Sequence, residues 1–104
     1  IAFEGATDRS IYVYTGTGQH LICNCRFEGN RNTFFKRGAA LTGEIGTRII
    51  VIGSTFIDNL ASQGPAIYMR GSTMEVYDSY FHNNEAQERG SAIGTSPSAQ
   101  LILV

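Results

Sequence analysis

Two cysteines and two histidines are the side chains that first suggest redox or metal chemistry in this chain. Cys23 and Cys25 are two residues apart, so on one extended strand they would point to the same face with Cα atoms near the upper limit for a disulfide. An unstrained bridge between them is therefore not expected, and a C-x-C pair supplies half a zinc site at best. His20 and His82 have no Cys or His partner at ligand spacing. No metal or other cofactor is predicted.

The charged side chains suggest a second chemistry, the cleavage of a polysaccharide. Glycosidases need two carboxyl groups on one face, roughly 5–9.5 Å apart. When the repeats described below are aligned, Asp58, Asp78 and Glu75 fall in three different rows. Arg48 and Arg70 fall in loops before strands, where solubility explains them as well as contact with a sugar acid does. No catalytic residue is predicted, and a non-enzymatic role is favoured.

Length and charge narrow the function classes further. With 104 residues the chain forms one domain at most, and a net charge of −1 gives no electrostatic footprint for nucleic acid. The longest apolar run before the C-terminus, residues 49–52, is far shorter than the ~20 residues of a membrane helix. The chain opens on Ile1 and stops within an apolar run at Val104. We therefore expect residues 1–104 to be one domain that is a piece of a longer solenoid or a unit within an assembly.

An internal repeat determines the elements that position these residues. A first phrase reads FEGN at 27–30, FIDN at 56–59 and FHNN at 81–84. A second reads GAAL at 38–41, GPAI at 64–67 and GSAI at 90–93, a spacing of 26 residues. A degenerate copy with Phe3 in the Phe position precedes them. Repeats of this length, checked before any other feature, are typical of solenoids.

The repeat predicts an all-β fold, a right-handed parallel β-helix (solenoid) of about four rungs with a period of about 26 residues. Each period is rich in Val, Ile, Tyr and Thr and is broken by Gly, Ser and Asn, which favours short strands joined by turns. Equivalent residues would then stack as ladders. The bend of each rung would hold an Asn, since Asn tolerates the left-handed conformation and binds backbone and other Asn residues. The predicted ladders are Phe27, Phe56 and Phe81; Asn30, Asn59 and Asn84; Ile22, Val51 and Val76; and Ala40, Ala66 and Ala92.

The two phrases resemble the repeats of the chlamydial polymorphic outer membrane proteins and related right-handed β-helix surface proteins. Those repeats carry Phe-x-x-Asn and Gly-Gly-Ala-Ile/Leu/Val, and the likeness covers roughly residues 20–95. The second Gly of that motif is Ala39, Pro65 or Ser91 here. The resemblance implies a secreted or cell-surface domain that is adhesive or structural, and its motif names no catalytic residue.

One face of the predicted solenoid is apolar where solvent is expected. If Ile22, Val51 and Val76 point inward, their strand neighbours point outward. Five of these six neighbours are apolar or aromatic, which is typical of an interaction face. The alternative is that the insertion Phe34-Phe35-Lys36-Arg37 folds over them; both readings stay open. The candidate interaction face is Leu21, Cys23, Ile50, Ile52, Glu75 and Tyr77.

We therefore predict a structural or adhesive extracellular module that acts through an extended face and through end-to-end stacking. Its predicted partners are other copies, or further β-helix chain, at the open strand edges of the ends, with a surface protein or a glycan as the other class. The alternative is a carbohydrate-active β-helix fragment or a carbohydrate-binding module. An ice-binding helix would need a regular Thr row, and Thr15, Thr17, Thr55 and Thr73 do not recur at the 26-residue period.

Overall fold

The computed structural model describes residues 2–5, 10–13, 19–87, 92–95 and 100–103, with backbone only at 33–37 and 100–103. These residues form strands and turns, and they include no helix. The strands are β1 Ala2–Glu4, β2 Ile11–Val13, β3 Gln19–Cys23, β4 Arg26–Glu28, β5 Arg31–Arg37, β6 Leu41–Gly43, β7 Arg48–Ile52, β8 Thr55–Ile57, β9 Leu60–Gln63, β10 Ile67–Met69, β11 Thr73–Tyr77, β12 Tyr80–His82, β13 Glu85–Ala86, β14 Ile93–Thr95 and β15 Gln100–Leu103.

Every described strand pairs in parallel with a strand of another repeat. Sheet A has the order β1-β4-β8-β12, sheet B β2-β6-β10-β14, sheet C β3-β7-β11-β15 and sheet D β5-β9-β13. From β3 onward the chain visits sheets C, A, D and B and then returns to C. The prediction of an all-β chain with parallel sheets is confirmed, and this strand order is consistent with a β-helix or solenoid.

The strand register places equivalent residues of the repeats side by side. In sheet A, Phe3 pairs with Phe27, Phe27 with Phe56, and Phe56 with Phe81. Their rings are parallel, with centroids 5.0, 4.7 and 4.8 Å apart. In sheet C the partners of Val51 are Ile22 and Val76. Because equivalent side chains stack along the sheets, the buried apolar residues form one cluster.

The core lies between the sheets and is filled from alternate strand positions. Sheet C contributes two inward rows, and its central residues Ile49, Val51 and Met74 are completely buried. Phe27 and Phe56 are also completely buried. Each such side chain contributes about 1.5–3 kcal/mol when it is removed from water.

The bends that follow sheets A and C each contain a row of residues in the left-handed conformation. One row is Gly29, Asp58 and Asn83, with φ of 66, 55 and 52°. The other is Asn24, Gly53 and Asp78, with φ of 50, 58 and 48°. The expectation that the row from Asn30 to Asn84 takes this conformation is wrong, because the left-handed residue is the one before it. Gly, Asp and Asn adopt this conformation at the lowest cost.

Candidate interaction face

The outer side of sheet C holds the six residues of the candidate interaction face in two adjacent rows. Leu21 pairs with Ile50 and Ile50 with Glu75; Cys23 pairs with Ile52 and Ile52 with Tyr77. Leu21 is 59% exposed and Cys23 is exposed, while the other four are half-buried. Strands β7 and β11 alternate buried and accessible positions as the period-2 pattern requires. These residues therefore form one surface at the described part of sheet C.

A charged network lies within this apolar surface. Arg48 donates from Nη2 to Oε2 of Glu75 at 2.7 Å, across the β7–β11 pair. Tyr77 donates its hydroxyl to the other carboxylate oxygen, Oε1. The hydrogen bond from Tyr77 and then that from Arg48 lower the pKa of Glu75. The same bond raises the pKa of Tyr77, because losing the proton would place two negative charges together.

Sequence reasoning missed this network. Arg48 was expected in a loop before a strand, but it is the first residue of β7. Arg70 does lie in a loop before a strand, between β10 and β11. Arg48 and Glu75 are 27 residues apart, which is close to one repeat, so they meet in neighbouring strands. The 26-residue spacing was the signal that could have paired them. The face therefore combines apolar rows with one fixed ion pair.

The two cysteines lie on opposite sides of the chain, so the expectation that they share one strand face is wrong. Strand β3 ends at Cys23, and the left-handed Asn24 reverses the side-chain direction before Cys25. Cys23 is an exposed free thiol, and Cys25 is a buried one. The Sγ of Cys25 donates to the carbonyl of Cys23 at 3.3 Å. Cys23 thus belongs to the face and Cys25 to the interior.

Cys25 begins a ladder of small polar residues that the sequence did not reveal. Its backbone N–H donates to Oγ of Ser54, and the N–H of Ser54 donates to Oγ of Ser79, both at 3.2 Å. The two serine hydroxyls donate in turn to the carbonyls of Ile52 and Tyr77. This ladder gives hydrogen-bond partners to backbone N–H and C=O groups at the bend that follows sheet C. Buried polar groups need such partners.

A ladder of asparagines does the same at the bend that follows sheet A. Nδ2 of Asn30 donates to Oδ1 of Asn59 at 2.9 Å, and Nδ2 of Asn59 to Oδ1 of Asn84 at 2.8 Å. Each Nδ2 also donates to a Phe carbonyl one repeat earlier: Phe3, Phe27 and Phe56 respectively. The side chain of Asn59 is 1% exposed, and its donors and acceptor are all used, so this residue serves the stack.

The insertion at residues 33–37 belongs to β5, in sheet D rather than sheet C. Asn32 pairs with Ala61 and Arg37 with Gln63, so the register shifts by three residues between these pairs. These extra residues make the first repeat longer than the second. Asn30 and Asn59 are 29 residues apart, whereas Asn59 and Asn84 are 25 residues apart. The side chains of Phe34 and Phe35 lie outside the described part of the chain, as do Thr15 and Thr17. That the insertion covers the face stays a prediction.

Comparisons with protein-family models, with curated proteins and with solved structures return no match to this chain. Within the described ranges, no three His, Cys, Asp or Glu side chains come together as metal ligands. No described helix is long and apolar enough to cross a membrane.

The two histidines lie on opposite sides of the sheets. His20 lies in the inward row of Ile49 and Met74, whereas His82 is on the outside of sheet A. The geometry of the chain itself must therefore carry any functional assignment.

Proposed function

We propose that this chain is a structural or adhesive module of an extracellular or cell-surface protein, built as a right-handed parallel β-helix. The constant order in which the chain visits its sheets supports the single solenoid. The right hand follows from the strong preference of parallel β crossovers. The likeness to the chlamydial surface repeats supports the location and the non-catalytic role. Asp58, Asp78 and Glu75 also lie at separate positions, on two bends and one strand.

The observation that carries the proposal is the apolar outer surface of sheet C. Leu21 is 59% exposed, and Ile50, Ile52 and Cys23 adjoin it in the two rows. Contiguous apolar surface of this kind marks protein interaction sites. Each sheet also has a first and a last strand, and edge strands of this kind are sites where further strands add. The module therefore associates through this face and through stacking at its ends.

Static light scattering coupled to size exclusion tests the association. The wild-type chain should exceed its 11.3 kDa mass, increasingly so at higher concentration. Leu21→Lys and Ile50→Lys should reduce the mass, because each places a charge within the apolar rows. Thr55→Lys is the control, since Thr55 is half-buried on sheet A instead.

A wild-type mass of 11.3 kDa at every concentration would show that the proposal is wrong. Association that persists in both face variants would assign the contact to the sheet edges. Electron micrographs of the same samples should then show rods of stacked copies.

A further inference from the structure

We propose that the groove beside the bend between sheets A and D is a binding site for a neutral oligosaccharide. This inference deepens the adhesive part of the proposed function and rests on it. The groove has a volume of about 610 Å³, within the roughly 300–1,000 Å³ of small-molecule sites. Its lining is Arg31, Asp58, Asn59, Leu60, Asn83, Asn84, Glu85 and Ala86.

Two parallel rows of the fold build the groove. On sheet D, Arg31 pairs with Leu60 and Leu60 with Glu85, so a cation, an apolar residue and an anion follow one another along the stack. Arg31 and Glu85 are two strands apart, about 10 Å between backbones. The adjoining bend contributes Asp58 and Asn83 from the left-handed row. The groove thus crosses three consecutive repeats.

Among the described residues, the charged groups of the groove have no side-chain partners. In the described part of the chain, Arg26, Arg48 and Arg70 each pair with a glutamate. Arg31 makes no such pair, although it shares the groove with two carboxylates. The side chains of Asp58 and Glu85 likewise make no hydrogen bond within the described residues. The groove therefore offers a ligand donors and acceptors that the described part of the chain does not use.

The chemistry of these groups favours a ligand rich in hydroxyl groups. A hydroxyl accepts from a guanidinium or amide N–H and donates to a carboxylate, so one sugar ring can use Arg31, Asp58 and Asn83 together. The groove has two carboxylates and one guanidinium, and their net negative charge disfavours an acidic sugar. Leu60 and Ala86 supply apolar surface for the C–H groups of the ring. The exposed Tyr80, whose ring stacks on His82 with centroids 5.9 Å apart, precedes the groove on β12.

The other two asparagines of the groove take part in the asparagine ladder. The carboxamide of Asn59 is used fully by Asn30, Asn84 and the carbonyl of Phe27. Asn84 accepts from Asn59 and donates to the carbonyl of Phe56. Asn59 and Asn84 form the floor of the groove, and the outer side chains of Arg31, Asp58 and Asn83 would bind the ligand. A variant of an outer residue should therefore change binding without loosening the stack.

Calorimetric titration with maltohexaose, cellohexaose and N-acetylchitohexaose, with tetragalacturonate as the acidic probe, tests the assignment. At least one neutral probe should bind saturably. Asp58→Asn should weaken that binding about tenfold, the value of one charge-assisted hydrogen bond. Asp78→Asn is the matched control, because Asp78 is also exposed and left-handed, with φ 48° against 55° for Asp58, but lies outside the groove lining.

Three results would overturn the inference: no binding of any neutral probe, equal effects of the two Asp variants, or binding of tetragalacturonate in place of the neutral probes. Circular dichroism should show that both variants keep the wild-type fold. The proposed association is measured separately by light scattering. Glycan binding can therefore fail while association persists, and the two proposals are distinguished.

Discussion

Asn59 donates a side-chain hydrogen bond to Asn84 across 2.8 Å, although 25 residues separate them in the chain. The same Nδ2 donates to the carbonyl of Phe27, in the preceding repeat. One side chain thus links three repeats, and both bonds depend on the amide group rather than on its shape alone.

Asn59→Asp should destabilise the fold strongly. The new carboxylate keeps the shape of the amide but cannot donate at neutral pH, so it would leave the carbonyl of Phe27 and Oδ1 of Asn84 unsatisfied around a buried charge. We expect a loss of about 3 kcal/mol in the free energy of unfolding, measured by urea denaturation. Asn83→Asp is the matched control: Asn83 is exposed, and Asp58 already holds the equivalent position. Equal losses in both variants would contradict a donor role for the ladder.

Gly64→Ala should be costly because the backbone requires glycine there for two reasons. Its φ is 54°, and a Cβ would lie 2.5 Å from the carbonyl oxygen of Ile67 and 2.9 Å from the N of Gly94. The left-handed conformation alone costs about 1–2 kcal/mol, and the backbone contacts add to this. Thermal unfolding should show a loss of at least about 2 kcal/mol.

Gly29→Asn provides the comparison for that substitution. Gly29 has φ 66°, but a Cβ there meets nothing within 4 Å. Asp58 and Asn83 occupy the same row, and Asn adopts the left-handed conformation readily. The thermal stability of this variant should stay within about 0.5 kcal/mol of the wild type. A large loss here would show that positive φ, rather than crowding, limits both positions.

Glu75 should titrate at lower pH than an ordinary glutamate. Its hydrogen bonds lower its pKa in the folded chain, so its contribution to stability is present above the unfolded pKa and is lost as the pH falls through the folded one. The stability difference between wild type and Glu75→Gln should therefore be constant near neutrality and shrink below pH ~4.3.

Carbon-detected NMR titration of variants can show how each of the two donors affects the pKa of Glu75. Tyr77→Phe and Arg48→Gln should each raise the pKa of Glu75, because Tyr77 and Arg48 both donate to its carboxylate and Arg48 also acts through its charge. Both variants keep most of the side-chain packing on the outer face. An unchanged pKa of Glu75 in either variant would show that the residue replaced there does not lower it.

The two thiols should differ in reactivity towards Ellman's reagent. Cys23 is exposed and Cys25 is 8% exposed, so the native chain should release about one equivalent promptly and a second only in denaturant. Cys23→Ser should abolish the prompt phase. Cys25→Ser should retain it and remain folded, because Ser54 and Ser79 already fill the same row. Prompt reaction of both thiols would contradict the inward placement of Cys25.

The repeats predicted most of the stacking, because residues of the same type at the same position of each repeat come to lie side by side. Phe27, Phe56 and Phe81 carry the same side chain at the same place in each repeat, and parallel register brings their rings to 4.7–4.8 Å. The outward direction of Leu21 and Ile50 followed from strand alternation alone. Where a bend reverses the chain, alternation fails, and this is why Cys23 and Cys25 were placed on one face.

The sequence by itself determined that the chain is all-β, which residues are equivalent between repeats, and which strand positions alternate. These properties are local or repeat with the period, so spacing is enough to show them. Only the tertiary structure decided that Glu75 joins Arg48 and Tyr77, and that Arg31, Asp58 and Glu85 share a groove. The Arg48–Glu75 bond and the groove join side chains of different repeats, so they depend on how the strands pair and on how the bends place their side chains. The spacing of the repeats shows which strands are neighbours, but it does not show which side chains touch.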